Sequence, residues 1–154
     1  MSMIIDGTNG LTFNNATTQN SGGKVLQVVS STLTSQATTT SGSFVSTGLT
    51  ASITPLFATS KIYIVITAAT QCTTSNSNFS IYRNSTNLGD STTGFGYLTG
   101  GGGTVNVYFA GSILDNPATT SSTSYTLYYK TGGGTLYVNN GAGASTITLM
   151  EIAA

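Results

Sequence analysis

Apolar residues recur at every second position through most of this chain. From residue 24 to residue 152 they fall in short runs separated by clusters of Ser, Thr, Gly and Asn, and no window carries a sustained three-and-four spacing. A period of two puts successive side chains on opposite faces of an extended backbone, so the pattern predicts strands and almost no helix. Candidate strands cover 24–29, 43–49, 51–54, 61–69, 79–83, 105–111, 125–130, 136–138 and 146–152. The run at 61–69 is long and rich in β-branched residues, which predicts a central strand. Residues 31–42 read as a Thr/Ser-rich loop, and turns are expected at 84–87 and at Asp115-Asn116-Pro117. Eight or so short strands at regular spacing predict an all-β protein, a β-sandwich with jelly-roll topology as the expected arrangement.

Residues 1–23 differ from the rest. Two very short apolar pieces, Ile4-Ile5 and Leu11-Thr12-Phe13, flank a Gly/Asn turn, and a polar stretch then ends in Ser21-Gly22-Gly23. The Gly pair marks a boundary, because it supplies flexible backbone with little to pack. The expected organisation is an extended N-terminal arm and linker over 1–23 and a β-sandwich domain over 24–154. An arm this small cannot bury its own apolar side chains. Ile4, Ile5, Leu11 and Phe13 are therefore the expected anchoring residues, docking on this domain or on a neighbouring subunit.

Composition narrows the function. Fifty of the 154 residues are Ser or Thr, only eight are charged, and His and Trp are absent. Soluble domains usually carry about a quarter of their residues as charges. Eight Tyr and six Phe, with many Val and Ile, set the chain apart from a disordered Ser/Thr-rich segment. Four scattered cations balanced by four acids give no footprint for nucleic acid. A net charge of zero leaves little self-repulsion and suits a protein packed into an assembly. The longest apolar-rich run, 62–69, is far short of the roughly 20 residues that span a bilayer, so no membrane insertion is expected. No signal-peptide pattern is seen at the start, and the single Cys72 rules out an internal disulfide framework, so synthesis in a cytoplasm is expected.

Catalytic chemistry finds few candidates. Acid–base work needs two titratable groups brought together, and the central acids Asp90 and Asp115 both sit in turn-like sequence. A serine nucleophile needs a base beside it; there is no His, and the one Ser-x-x-Lys spacing, Ser21-Gly22-Gly23-Lys24, falls on the Gly pair at the domain boundary. The Gly runs at 100–103, 132–134 and 141–143 lack a following Lys-Ser or Lys-Thr and read as loops between strands. Asp6, Thr8 and Asn9 offer one carboxylate, too few for a calcium site. The expectation is a non-enzymatic protein without metal or cofactor.

Tyrosine carries more information. Tyr63, Tyr82, Tyr97, Tyr108, Tyr125, Tyr128, Tyr129 and Tyr137 are too many to point inward without polar partners. Exposed tyrosines would either stack on sugars or pack against another copy of the chain. Tyr82, Tyr97, Tyr128 and Tyr137 are the candidate interface or glycan-contact aromatics, and low charge favours the interface reading.

The segment Gly10-Leu11-Thr12-Phe13-Asn14-Asn15-Ala16-Thr17-Thr18-Gln19 resembles a short Gly-Leu-Thr-Phe…Thr-Thr-Gln element common in bacteriophage tail-fibre and other virion proteins. The stretches 23–29, 43–55 and 58–62, and the closing 145–152, are similar to the same class. The resemblance covers both ends and the first half of the domain and is weaker from 70 to 140. It implies a virion protein of the tail-fibre or capsid-surface fibre type: a homotrimer displayed on the particle and joined to other virion proteins through the arm. Long fibres carry shafts of repeats, which this chain lacks. Two alternatives stay open. One is a receptor-binding tip whose loops around 70–78, 89–103 and 131–145 contact a host surface glycan. The other is a cement protein that stabilises a capsid lattice.

Overall fold

The alternating pattern becomes fourteen strands, with no helix among the described residues. The computed structural model describes residues 4–6, 10–12, 18–19, 24–73, 76–99, 103–141 and 143–154, the first three stretches by backbone pairing alone. In those stretches β1 (Ile4–Asp6), β2 (Gly10–Thr12) and β3 (Thr18–Gln19) pair in sequence as a small antiparallel sheet. The segment read as an extended arm therefore folds back on itself, and its last strand lies in what was read as linker.

The remaining strands are β4 (Val25–Leu33), β5 (Ala37–Thr39), β6 (Val45–Ile53), β7 (Lys61–Cys72), β8 (Ser77–Arg83), β9 (Thr86–Asn87), β10 (Gly96–Leu98), β11 (Val105–Asp115), β12 (Thr123–Thr131), β13 (Leu136–Val138) and β14 (Ser145–Ile152). They form two antiparallel sheets packed face to face. In sheet I, β7 is central: β11 pairs with it along one edge, while β14 and then β13 share the other edge and pair in turn with β4 and β5. Sheet II runs β6–β12–β8–β10, with β9 also on β8. The pairing is nested. Counting β4/β5 and β13/β14 as single broken strands, the first pairs with the last, β6 with β12, β7 with β11 and β8 with β10, as in one long hairpin folded over twice.

The core lies between the sheets and follows the period of two. Ile62, Ile64 and Ile66 of β7, Leu49 and Ile53 of β6, Phe79 and Ile81 of β8, Leu127 of β12, and Ile147 and Leu149 of β14 are all buried. Each such side chain contributes about 1.5–3 kcal/mol by leaving water. Phe79 and Phe109 stack across the gap between the sheets, with ring centroids 4.8 Å apart.

Several strand expectations change in detail. The loop expected at 31–42 contains the end of β4 and all of β5. The two strands expected at 43–49 and 51–54 are one strand, β6, with an irregularity where Leu127 faces Thr47, Gly48 and Leu49. Gly48 takes a positive φ of 85° there, which costs a glycine little. The Thr47 hydroxyl donates to the Leu127 carbonyl at 2.8 Å, so the interrupted ladder keeps its acceptor satisfied. The turn expected at Asp115 begins one residue later. Asp115 ends β11 and is nearly buried, because its carboxylate faces Arg83 and Tyr125 of the opposite sheet.

The chain enters the sandwich at Lys24, whose carbonyl accepts the Ala153 amide. Gln27, Thr54, Ile62, Asp115 and Glu151 lie at this proximal end. Ser41, Cys72, Ser77, Thr131 and Leu136 lie at the distal end.

Candidate functional site

Two surfaces stand out, one across the outer face of sheet I and one at the distal end of sheet II. On sheet I the outward positions of neighbouring strands line up as cross-strand rows. The row nearest the proximal end is Val28, Met150, Tyr63 and Leu114, one residue from each of β4, β14, β7 and β11. Val28 is 57% exposed and Leu114 50%, so this row is apolar and faces water. Ser30, Thr148, Val65 and Ser112 form the next row, followed by Thr32, Thr146, Thr67 and Ala110. Lys61, at the proximal end of the central strand, is the one charged residue among the described outward positions of β4, β7, β11 and β14.

Toward the distal end of the same face four amides form a directed chain. Gln36 Nε2 donates to Asn140 Oδ1 at 2.8 Å, Asn140 Nδ2 to Gln71 Oε1, and Gln71 Nε2 to Asn106 Oδ1 at 2.6 Å. Tyr108, 74% exposed, stands beside it at a shallow concavity of about 340 Å³.

The second surface is a cleft of about 350 Å³ at the distal end of sheet II. Its walls carry Asn76, Asn78, Thr92, Thr93, Tyr97 and Lys130. Asn78 and Lys130 face each other on β8 and β12, and Tyr97 projects from β10 with 63% of its surface exposed. The Thr92–Thr93 wall is held by Asp90, whose Oδ1 accepts from the Thr92 amide at 2.8 Å, the Thr93 amide at 2.7 Å and the Thr93 hydroxyl at 3.0 Å. Those hydrogen bonds, the Thr93 amide first, hold the Asp90 carboxyl below its ordinary range. The turn reading of Asp90 agrees with this geometry. Asn78 Nδ2 also donates to the Thr93 carbonyl at 3.2 Å, tying the wall to the sheet.

Beside the cleft lies an aromatic cluster. Tyr82 and Tyr128 stack with centroids 3.9 Å apart, Phe44 leans on Tyr82 at 6.2 Å, and Lys130 Nζ sits 4.7 Å from the centre of the Phe44 ring. That contact fixes the ammonium at the cleft rim. Burial, and next the neighbouring Tyr128, push the Tyr82 phenol up.

Three of the four aromatics singled out from sequence thus lie on sheet II: Tyr97 at the distal cleft, with Tyr128 and Tyr82 stacked on strands β12 and β8 progressively farther from it. Tyr137 does not join them. It lies on β13 of sheet I, opposite Gln71 and Thr38. Sequence reasoning passed over Tyr63 and Tyr108, which are the exposed tyrosines of the sheet I face, and also Lys130, Phe44 and the amide chain. Nothing in the sequence reading separated Tyr63 and Tyr108 from the other tyrosines; the strand order puts them on one face. Of the anchoring residues, Ile4, Ile5 and Leu11 belong to β1 and β2, with side chains outside the described residues, and Phe13 lies outside the described residues altogether. Among the described residues no three or more His, Cys, Asp or Glu side chains gather as a metal site, and no helix is long and apolar enough to cross a membrane.

No protein-family model matches this chain, and no curated protein matches it.

Proposed function

We propose that this chain is a bacteriophage virion structural protein, a surface-displayed homotrimeric fibre or decoration subunit anchored by its N-terminal segment. The observation that carries the assembly role is the outer face of sheet I. It presents an exposed apolar row, a run of small Ser, Thr and Ala residues, and an amide chain whose members bond each other. Four strands about 4.8 Å apart and some ten residues long cover roughly 640 Å², a little under the roughly 800 Å² per partner of a stable interface. With a single charge at its proximal edge, the face fits other neutral surfaces, and three copies turning this same sheet toward a common axis would supply them. Its apolar row would be covered by the neighbouring protomers.

The nested strand pairing supports jelly-roll topology, in which a long folded hairpin is wound into two four-stranded sheets. The virion setting rests on the resemblance of both chain ends to phage fibre proteins. The position of Lys24 suits display, since the preceding segment then joins the sandwich at the end opposite the distal cleft.

Light scattering on the full chain tests this reading. The expected mass is three chains, stable on dilution, and Tyr63→Lys together with Leu114→Lys is expected to give a folded monomer. A monomeric wild-type chain overturns the trimer. A trimer unmoved by the two lysines places the interface elsewhere.

A further inference from the structure

Four cations are present in the chain, and three of them are placed away from the distal cleft or engaged. Lys24 and Lys61 lie at the proximal end, and Arg83 is paired with Asp115. Lys130 alone stands at the cleft, its ammonium held against Phe44. The nearest acid, Asp90, interacts with the Lys130 charge, but its Oδ1 is taken up by its own turn and it does not line the cleft. The lining therefore combines one positive charge, the amides of Asn76 and Asn78, the hydroxyls of Thr92 and Thr93, and an exposed tyrosine ring.

We propose that this cleft binds a saccharide bearing a carboxylate, such as a uronic or sialic acid. A pyranose ring has an apolar face of C–H bonds and an equatorial rim of hydroxyls. Tyr97 supplies a flat apolar surface for the first. Asn76, Asn78, Thr92 and Thr93 supply hydrogen-bond groups for the second. Lys130 supplies the charge-assisted contact to the carboxylate. A volume of about 350 Å³ falls at the small end of ligand sites, matching one or two sugar rings. The wall is preorganised, because Asp90 and Asn78 lock the Thr92–Thr93 turn before any ligand arrives. The site lies on sheet II, so covering the outer face of sheet I with other protomers leaves it open. This inference goes beyond the assembly role and does not depend on it.

The test is an NMR titration of the full chain with methyl glycosides of a neutral hexose, an N-acetylhexosamine, a uronic acid and a sialic acid. At least one acidic glycoside is expected to bind saturably and to move the amide resonances of Asn78, Thr92 and Thr93. Tyr97→Ala and Lys130→Gln are each expected to weaken it about tenfold. Tyr97 is largely exposed, so its truncation removes little packing, and an otherwise unchanged spectrum reports that each variant is folded. Absence of saturable binding by all four probes overturns the proposal. So does binding that survives Tyr97→Ala, or binding of neutral glycosides alone that ignores Lys130→Gln. So do shifts centred on Gln71, Asn106 and Tyr108. A monomeric chain that binds in the cleft supports this inference while removing the trimer.

Discussion

Arg83 and Asp115 join the two sheets. Arg83 Nη1 on β8 donates to both carboxylate oxygens of Asp115 on β11, at 2.9 and 3.0 Å, and it is the one ion pair among the described residues. The Tyr125 hydroxyl on β12 donates to Asp115 Oδ2 at 2.7 Å. Burial, and then the hydrogen bond to Asp115 and its charge, push the Tyr125 phenol far up, so it stays a donor beyond the pH at which an ordinary tyrosine ionises. Asp115→Asn leaves the guanidinium without its counter-charge in a partly buried setting. The expected loss is about 2–4 kcal/mol, less than for a fully buried pair because Arg83 keeps 27% of its side chain in water. Tyr125→Phe should cost about 1 kcal/mol, and urea denaturation of both variants checks the order.

Glu151 predicts the acid behaviour. It is inward-facing on β14 and fully buried, and it accepts from Gln27 Nε2 at 2.6 Å and from the Leu56 amide at 2.8 Å. Burial pushes its carboxyl up, but the hydrogen bonds from Gln27 and the backbone amides of Leu56 and Phe57 outweigh that and hold it below its ordinary value of 4.5. The folded chain therefore gives up this proton more readily than the unfolded one. The resulting stability is complete above the unfolded pKa and is lost as pH falls through the lower folded pKa. Glu151→Gln is expected to lower neutral-pH stability by about 1–3 kcal/mol and to flatten the acid limb of the stability curve. An acid limb that keeps its slope would assign the effect to another group.

The Gly94 backbone is constrained twice. Its φ is +67°, and a Cβ there would lie 2.2 Å from the Phe79 carbonyl oxygen, which accepts the Phe95 amide. Gly94→Ala is expected to cost about 1–3 kcal/mol and to move the 90–94 turn off β8. Loss of hydrogen-exchange protection at the Gly94 and Phe95 amides is the readout, and unchanged protection would contradict it.

Asn139 holds the break between β13 and β14. It sits at φ 58°, donates to the Leu33 carbonyl at 2.7 Å and accepts from the Ser145 hydroxyl at 2.7 Å, while Ser145 Oγ accepts the Ala69 amide at 3.1 Å. Asn139→Ala removes these side-chain bonds, and a third to the Ser35 carbonyl at 3.3 Å, from a buried position and strains the left-handed backbone. A loss of about 2–3 kcal/mol is expected by thermal and urea denaturation, with Asn139→Gly recovering only the backbone share.

What could be read locally was read well. The strands at 61–69, 79–83 and 136–138 lie within or match β7, β8 and β13, because side-chain alternation is a property of neighbouring residues. β5 and β10 were missed because each is three residues of ordinary Thr, Gly or Leu sequence, strand-like only through its partner. Asp115 was misplaced for the same reason: Asp before Asn-Pro favours a turn, and a guanidinium from another sheet overrides that preference. The aromatics Tyr82 and Tyr128 could be nominated from sequence, but their stacking needs β8 and β12 side by side.

The sequence by itself determined the all-β class, the inward set of residues and the scarcity of charge, since each depends on composition or on a period of two. Only the tertiary structure decided the nested pairing, the nearly uncharged face of sheet I and the gathering of Asn78, Tyr97 and Lys130 at one end. Those depend on which strands become neighbours, and that is set by how two sheets best bury their apolar faces together, a property of the whole chain and not of any one window.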